Sequence, residues 1–167
     1  MSDITSGILV AGIGNIFLGD DGFGPEVIRH VGDRLAGPGV KVVDYGIRGM
    51  HLAYDLLEDW DALVLVDAIP SRGSPGAIHV FEADHESLSP NSGLDAHSMD
   101  PAAVFASLSA LGGTPPYTIV VGCEAASVDE GIALSDAVAG AVPHAVRAVD
   151  EVVATLLSRS EASVREG

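Results

Sequence analysis

The sequence predicts an α/β fold: a single three-layer domain with a mostly parallel, twisted sheet, one antiparallel edge strand and helices on both faces. Two observations predict this class. Short unbroken apolar runs, typical of strands buried on both faces, alternate with amphipathic stretches of helical period. In addition, two of the apolar runs are separated only by the short polar link from Ser71 to Gly76. Because so few residues cannot hold a crossover helix, these two strands are expected to be antiparallel, with the second at a sheet edge.

Three strands and two helices are predicted in the first half of the chain. A glycine-rich turn follows the first strand and leads to a helix that begins at Pro25, since proline suits the first helical position. The apolar residues of this helix share one face, as do those of the second helix. The third strand is fully apolar until it ends on a carboxylate, Asp67. In order, the elements are Ile8–Gly12, Pro25–Leu35, Val40–Tyr45, Met50–Trp60 and Ala62–Asp67.

Two further strands and two helices are predicted in the second half. Asp100 is the expected N-cap of the first of these helices, and the closing helix carries Val146, Val149 and Val153 on one face. The elements are Ala77–Phe81, Pro101–Leu111, Tyr117–Gly122 and Pro143–Leu157. We expect one domain over residues 1–167, with a core from about residue 8 to residue 157 and a frayed polar tail at 158–167.

The composition excludes several classes of function. The chain has 24 acidic and 8 basic side chains and a formal net charge of −16, so it lacks the clustered cations that nucleic acids and anionic membranes require. A hydrophobic content of 47% and a mean hydropathy of +0.34 exclude a disordered acidic tail. The single cysteine, Cys123, allows no internal disulfide and suits a small core residue. With no signal peptide or membrane span evident, we expect a cytoplasmic protein, whose oligomeric state the sequence does not indicate.

The candidate functional residues lie where strands end. Open parallel sheets bind ligands beyond the carboxyl ends of their strands, near the switch point in strand order. Asp20 and Asp21 follow the first strand, Asp44 closes the second and Asp67 closes the third. His97 precedes a predicted helix, after a polar segment able to bring it to the same edge. Two carboxylates and an imidazole suit a divalent metal with open coordination positions, and they equally suit general acid and base groups.

Each aspartate also has a structural explanation, because aspartates cap helices and close turns without any further function. This explanation is strongest for Asp44, which suits the turn at Gly46–Gly49. The residues alone do not rank Asp20 against Asp21.

Two familiar motifs do not fit. The run Gly12-Ile13-Gly14-Asn15-Ile16-Phe17 begins like a dinucleotide fingerprint, but Phe17 occupies the position of the third glycine. This argues against a nicotinamide or flavin cofactor. A phospho-accepting receiver domain also has an acidic pair after its first strand and an aspartate after its third, yet it needs a lysine after the last strand. Gly122-Cys123-Glu124 stands there, and the single lysine, Lys41, begins the second strand.

Three blocks of the sequence resemble those of the hydrogenase maturation endopeptidases. Gly12-Ile13-Gly14-Asn15-Ile16-Phe17-Leu18-Gly19-Asp20-Asp21-Gly22-Phe23-Gly24 is similar to the N-terminal signature of that family. Val64-Leu65-Val66-Asp67-Ala68 matches its second block, and Asp95-Ala96-His97 lies where its histidine block is expected. There are two departures. Asp21 stands where relatives often have glutamate, and Gly46-Ile47-Arg48-Gly49 lacks the threonine that many relatives have after the glycine.

The resemblance implies a metal-dependent aspartyl endopeptidase that removes the C-terminal extension of a nickel-containing hydrogenase large subunit during its maturation. It implies catalytic and metal-contacting roles for Asp21, Asp67 and His97, the primary candidates, and leaves Asp20 and Asp44 as secondary metal candidates. The implied partner is the precursor of that large subunit. The implied metal is nickel already installed in this substrate, with zinc or cadmium as substitutes in vitro, and no organic cofactor is implied.

Two other functions are compatible with the same residues. One is a free-standing metallohydrolase or peptidase that keeps its own divalent metal at the carboxylates. The other is a non-enzymatic, receiver-like binding module, against which the missing lysine argues. The residues alone leave these alternatives open.

Overall fold

The computed structural model describes residues 7–83 and 101–166, in which short strands and helices alternate. A single 3-10 turn, Gly19–Gly22, lies between the first strand and the first helix. No helix in these two ranges is both long and apolar enough to cross a membrane. The elements are β1 (Gly7–Ile13), α1 (Phe23–Leu35), β2 (Val40–Gly46), α2 (Gly49–Asp55), β3 (Trp60–Ile69), β4 (Ile78–Glu82), α3 (Pro101–Ala110), β5 (Tyr117–Glu124) and α4 (Asp136–Glu166).

The five strands form one sheet in the order β2-β1-β3-β5-β4. The pairs β1–β2, β1–β3 and β3–β5 are parallel, whereas β4 is antiparallel to β5 and lies at the edge. The predicted fold class is therefore confirmed, including the antiparallel edge strand after the short link. Because the chain goes from β1 outwards to β2 and then crosses back to β3, strand order switches between β1 and β3.

Helices cover both faces of the sheet, which gives the three predicted layers. Alternate residues of each strand point to opposite faces. In β3, Val64 and Val66 belong to the core cluster formed with α1 and α4. Leu63 and Leu65 belong to the second cluster, formed with α2 and α3. Strands β1 and β3 are thus buried on both sides, as their unbroken apolar sequences require.

The second helix is shorter than predicted. It ends at Asp55, and Trp60, which was predicted to be its last residue, instead begins β3. The physical reason is a contact that the helical spacing does not reveal. The indole Nε1 of Trp60 donates a hydrogen bond of 2.8 Å to the carbonyl oxygen of Asp55. This bond satisfies an end carbonyl of the helix and fixes where the helix stops.

The closing helix is longer than predicted at both ends. It begins at Asp136, so that Pro143 lies inside it and does not start it. The start signal is Ser135, whose hydroxyl oxygen accepts a 3.4 Å hydrogen bond from the amide of Val138 in the manner of an N-cap. The helix runs to Glu166, past the predicted end at residue 157, and the sequence has no glycine or proline between residues 158 and 166.

Glycines allow the loop after β1 to fold tightly against the sheet. A Cβ on Gly14, whose φ is 142°, would collide with the carbonyl oxygen of Asp21. A Cβ on Gly24 would collide with the carbonyl of Ile13 and would lie 2.5 Å from that of Val66. The absence of these side chains lets the start of α1 touch the ends of both β1 and β3. The glycines of the first sequence block therefore hold the following acids close to the sheet.

Asp20 is the main anchor of this loop. Its side chain is fully buried, and its two carboxylate oxygens accept four hydrogen bonds from the segment after β5. Burial alone would raise the pKa of Asp20, but the hydrogen bonds from Ser135, Ser127 and Ala126 lower it below its ordinary value. A carboxylate held in this way joins the loop after β1 to a segment more than a hundred residues further along the chain.

Replacing Gly24 by alanine is expected to destabilise the protein by about 2–4 kcal/mol, because the new Cβ meets two backbone carbonyls that cannot move aside easily. The matched control is Gly140→Ala in α4, where a Cβ meets nothing within 4 Å. That change is expected to stabilise the helix by about 0.5–1 kcal/mol. Urea unfolding monitored by circular dichroism measures both. Equal midpoints for the two variants would contradict the close approach at Gly24.

Replacing Asp20 by asparagine is expected to cost about 2–4 kcal/mol at neutral pH, since an amide cannot accept all four of the buried hydrogen bonds. The folded-state pKa of Asp20 lies below its ordinary value of 3.8. Its stabilising effect is therefore complete above that pH and is lost as the pH falls through the lower folded-state value. Urea titrations at several pH values should show the difference from wild type shrinking below pH 3.8.

The control for this measurement is Asp129→Asn, which changes an exposed aspartate of the same segment and should alter stability little. A loss for Asp20→Asn that stays constant down to the lowest pH tested would show that the ionised carboxylate is not what holds the two segments together.

Candidate functional site

Asp21 and Asp67 lie at the switch point of the sheet. Asp21 is in the 3-10 turn after β1, and Asp67 is near the carboxyl end of β3, the parallel neighbour of β1. The two positions are connected by close packing, since Gly24 lies against the carbonyl of Val66, the residue before Asp67. The structure thus brings these two predicted residues to one edge of the sheet, where open α/β sheets bind their ligands.

Asp21 is a buried carboxylate with few partners among the described residues. Only 4% of it is exposed, and its Oδ2 accepts a 2.7 Å hydrogen bond from the backbone amide of Asn15. Burial raises the pKa of Asp21, and the Asn15 hydrogen bond offsets this rise only in part. A carboxyl group whose charge is poorly solvated is well suited to bind a cation or to take up a proton.

Asp67 is equally inaccessible, with 3% of its surface exposed. It pairs in register with Gly122 of β5, and the two-residue period of β3 places it on the same face as Leu63 and Leu65, towards α2 and α3. The strand continues two residues beyond it to Ile69, so Asp67 does not end the strand as the sequence predicted. Its position is fixed by the sheet ladder.

The two secondary candidates have structural explanations. All four hydrogen bonds recorded for the carboxylate of Asp20 go to the segment after β5. Asp44 is exposed, and its Oδ1 accepts a 2.9 Å hydrogen bond from the amide of Gly46, which closes the turn as the sequence suggested. Asp44 shares its face of β2 with Val40 and Val42, towards α1, whereas Asp67 faces α2 and α3. The four acids thus reach the same edge without converging on one point.

His97, the third primary candidate, lies outside the described residues, and so does Asp100, the predicted N-cap. Within residues 7–83 and 101–166, no group of three histidine, cysteine or acidic side chains has the geometry of a metal site. A ligand role for His97 stays a prediction.

A buried acid that the sequence analysis did not single out lies at the end of β5. Glu124 is only 2% exposed and accepts hydrogen bonds from the amides of Arg72 and Ser74 and from Nε2 of His79. These hydrogen bonds, with that of Arg72 first, lower the pKa of Glu124. The strand-end pattern that indicated Asp67 also occurs at Glu124 and could have identified it. Because two of these donors belong to the link before β4 and the third to β4 itself, Glu124 holds the link against the edge strand.

The cysteine offers no nucleophile. Cys123 is a free, fully buried residue of the core, as predicted. Burial, together with the charges of Asp20 and Glu124, raises the pKa of its thiol to about 11. The thiol is therefore protonated at neutral pH and unreactive. The chemistry that the described part of the site supports is that of carboxylates, as cation ligands or as proton acceptors.

Known proteins are similar to this chain in sequence and in fold. A family model described as hydrogenase maturation protease, HycI, matches residues 25–152. The putative hydrogenase maturation protease of Methanocaldococcus jannaschii is 30% identical over 151 residues, which cover 90% of this chain and 94% of that protein. The structure of the hydrogenase maturating endopeptidase HybD from Escherichia coli is similar with a TM-score of 0.74, at 25% identity, over 92% of this chain and 93% of that one.

A third relative matches over a shorter length. The delta subunit of coenzyme F420 hydrogenase of Methanothermobacter thermautotrophicus is 39% identical over 80 residues, which are 45% of this chain and 51% of that protein. The chain therefore spans about half the length of this relative but nearly the whole of the other two proteins. Since the family model matches well over half of the chain, the chain belongs to the hydrogenase maturation protease family and is a peptidase.

Proposed function

We propose that this protease removes the C-terminal extension from the precursor of a nickel-containing hydrogenase large subunit, and that it engages the installed nickel through Asp21, Asp67 and His97. The observation that carries the proposal is the pair of nearly inaccessible carboxylates at the switch point, one in the turn after β1 and the other in the adjacent parallel strand β3. A carboxylate set with open positions can engage a metal that another protein still holds. Family membership supplies the reaction class.

The environment of Asp21 supports a role towards a cation. Its carboxylate is buried and its pKa is raised, so the residues that the structure describes compensate its charge poorly. A divalent cation beside it would favour the ionised form and restore the missing compensation. Engagement of the metal is then accompanied by loss of any proton from Asp21, which makes binding stronger as the pH rises through the folded-state pKa.

Two ways of cleaving the peptide bond are compatible with these residues. In one, the nickel supplies Lewis acidity at the scissile carbonyl, and the acids only position the metal. In the other, metal binding serves recognition, and an ionised aspartate accepts the proton of the attacking water. Asp21 is the better acceptor, because its raised pKa increases its basicity relative to an ordinary aspartate.

The alternatives differ in where the metal resides. A free-standing metallohydrolase would retain its own divalent metal, such as zinc, through purification and would not need nickel in its substrate. A receiver-like module would accept a phosphoryl group at Asp67. The residue that pairs with Asp67 is Gly122, and the single lysine, Lys41, lies at the other end of β2, so the cation needed for that chemistry is absent from this position.

Replacing Asp67 or Asp21 by asparagine is expected to lower the rate of precursor cleavage at least about a hundredfold, because the amide cannot supply the charge that a metal ligand or a general base requires. His97→Ala should have a comparable effect if it completes the set. The assay is gel analysis of purified nickel-loaded large-subunit precursor incubated with each variant. Urea unfolding of each variant separates lost chemistry from lost folding.

The matched control is Asp61→Asn, which changes an exposed aspartate near the other end of the same strand and should cleave at the wild-type rate. Cleavage retained by Asp67→Asn or His97→Ala would refute the site assignment. A protease that is purified with one tightly bound zinc and cleaves nickel-free precursor equally fast would favour the free-standing metallohydrolase instead.

A further inference from the structure

Six large apolar side chains are exposed on the three loops that follow β1, β2 and β5 and on the first turn of α2, directly after the second of these loops. Apolar residues of this size are normally covered, and isolated exposed ones need no explanation, but a group on neighbouring loops indicates an interaction surface. We call these six residues the apolar collar. They are Ile16 (50% exposed), Phe17 (63%), Ile47 (62%), Met50 (48%), Val128 (47%) and Ile132 (79%).

Backbone hydrogen bonds fasten the three loops to one another. The amide of Gly14 donates to the carbonyl of Gly46, at 2.9 Å, which joins the loop after β1 to the one after β2. Two more hydrogen bonds join the loop after β1 to the loop after β5. The amide of Gly19 donates to the carbonyl of Gly131 at 2.8 Å, and the amide of Gly131 donates to the carbonyl of Phe17 at 2.9 Å. The buried carboxylate of Asp20 reinforces this second junction. The collar is therefore presented in a preorganised form, which lowers the entropic cost of binding.

The collar is continuous with the acidic site. Ile16 packs over Gly22, the residue after Asp21: a Cβ on that glycine would lie 3.1 Å from the Cα of Ile16. Phe17 lies in the same loop, and Ile132 follows directly after Gly131, the residue that hydrogen-bonds to Phe17. Asp21 and Asp67 are 4% and 3% exposed. A protein that brings its metal to Asp21 therefore comes close to the collar.

We propose that the apolar collar is the docking surface for the folded body of the large-subunit precursor, and that it packs against an apolar area surrounding the nickel site of that precursor. This inference rests on the proposed function. The collar exposes apolar surface of the order of a few hundred Å², a useful fraction of the roughly 800 Å² that each partner buries in a standard interface. It supplies affinity and orientation, while the acids supply the chemistry.

The test uses two double variants in different parts of the collar, Phe17→Ser/Ile132→Ser and Ile47→Ser/Met50→Ser, assayed with purified nickel-loaded precursor. Truncating central interface residues commonly costs tenfold or more in binding. We expect each double variant to raise KM about tenfold, with kcat and the thermal midpoint nearly unchanged. Because all four side chains are at least 48% exposed, their replacement should leave the fold intact.

The control is Tyr117→Ser/Leu157→Ser, which removes two exposed apolar side chains outside the collar, one at the start of β5 and one in α4. It should show the wild-type KM. Unchanged KM in both collar variants would overturn the inference while wild-type cleavage still upheld the proposed function. Failure of the wild type to cleave the precursor would instead refute the proposed function.

Sedimentation of the same proteins tests the competing occupant, a second copy of this chain. A wild type that sediments as a monomer is the expected result. A dimer that the collar substitutions dissociate, without any change in KM, would assign the collar to self-association and overturn the proposal.

Discussion

The buried carboxylate of Asp20 is the interaction on which the site depends. It accepts hydrogen bonds from Ala126, Ser127 and Ser135 and so fixes the loop after β5 on the loop after β1. The same loop after β1 contains Asp21 and also Ile16 and Phe17 of the apolar collar. Without this anchor, the loop after β1 and the loop after β5 would have to be ordered separately, at a cost in conformational entropy for each residue. One ionised side chain thereby organises both the chemistry and the docking surface.

Adjacent acids with the same intrinsic chemistry acquire opposite properties here. Asp20 and Asp21 are both nearly inaccessible, yet hydrogen bonds lower the pKa of Asp20, whereas burial raises that of Asp21. The difference is in the number of donors that face each carboxylate. Asp20 is stabilised as an anion and serves the fold. The charge of Asp21 is compensated less well by the described residues, and in the proposed function the nickel of the substrate supplies the missing compensation.

The fold and the position of the acids were predictable because they depend on local patterns. Buried parallel strands have unbroken apolar sequences, and their carboxyl ends meet at one edge, so Asp21 and Asp67 could be placed together. The partners of Asp20 could not, since Ser135 is 115 residues away and nothing in the spacing connects them. The early end of α2 likewise depends on a hydrogen bond from Trp60. Neither contact follows from the period of the apolar residues: the first is long-range, and the second is a local side-chain hydrogen bond across five residues.

The central claim is that the two buried carboxylates engage nickel held by the substrate, and nickel X-ray absorption spectroscopy of the precursor tests it most directly. Spectra of the nickel-loaded precursor alone are compared with spectra of its complex with the protease. The account predicts that oxygen ligands are added to the nickel on complex formation, and that fewer are added with Asp67→Asn at equal occupancy of the complex. A nickel environment that does not change when the wild-type complex forms would contradict it.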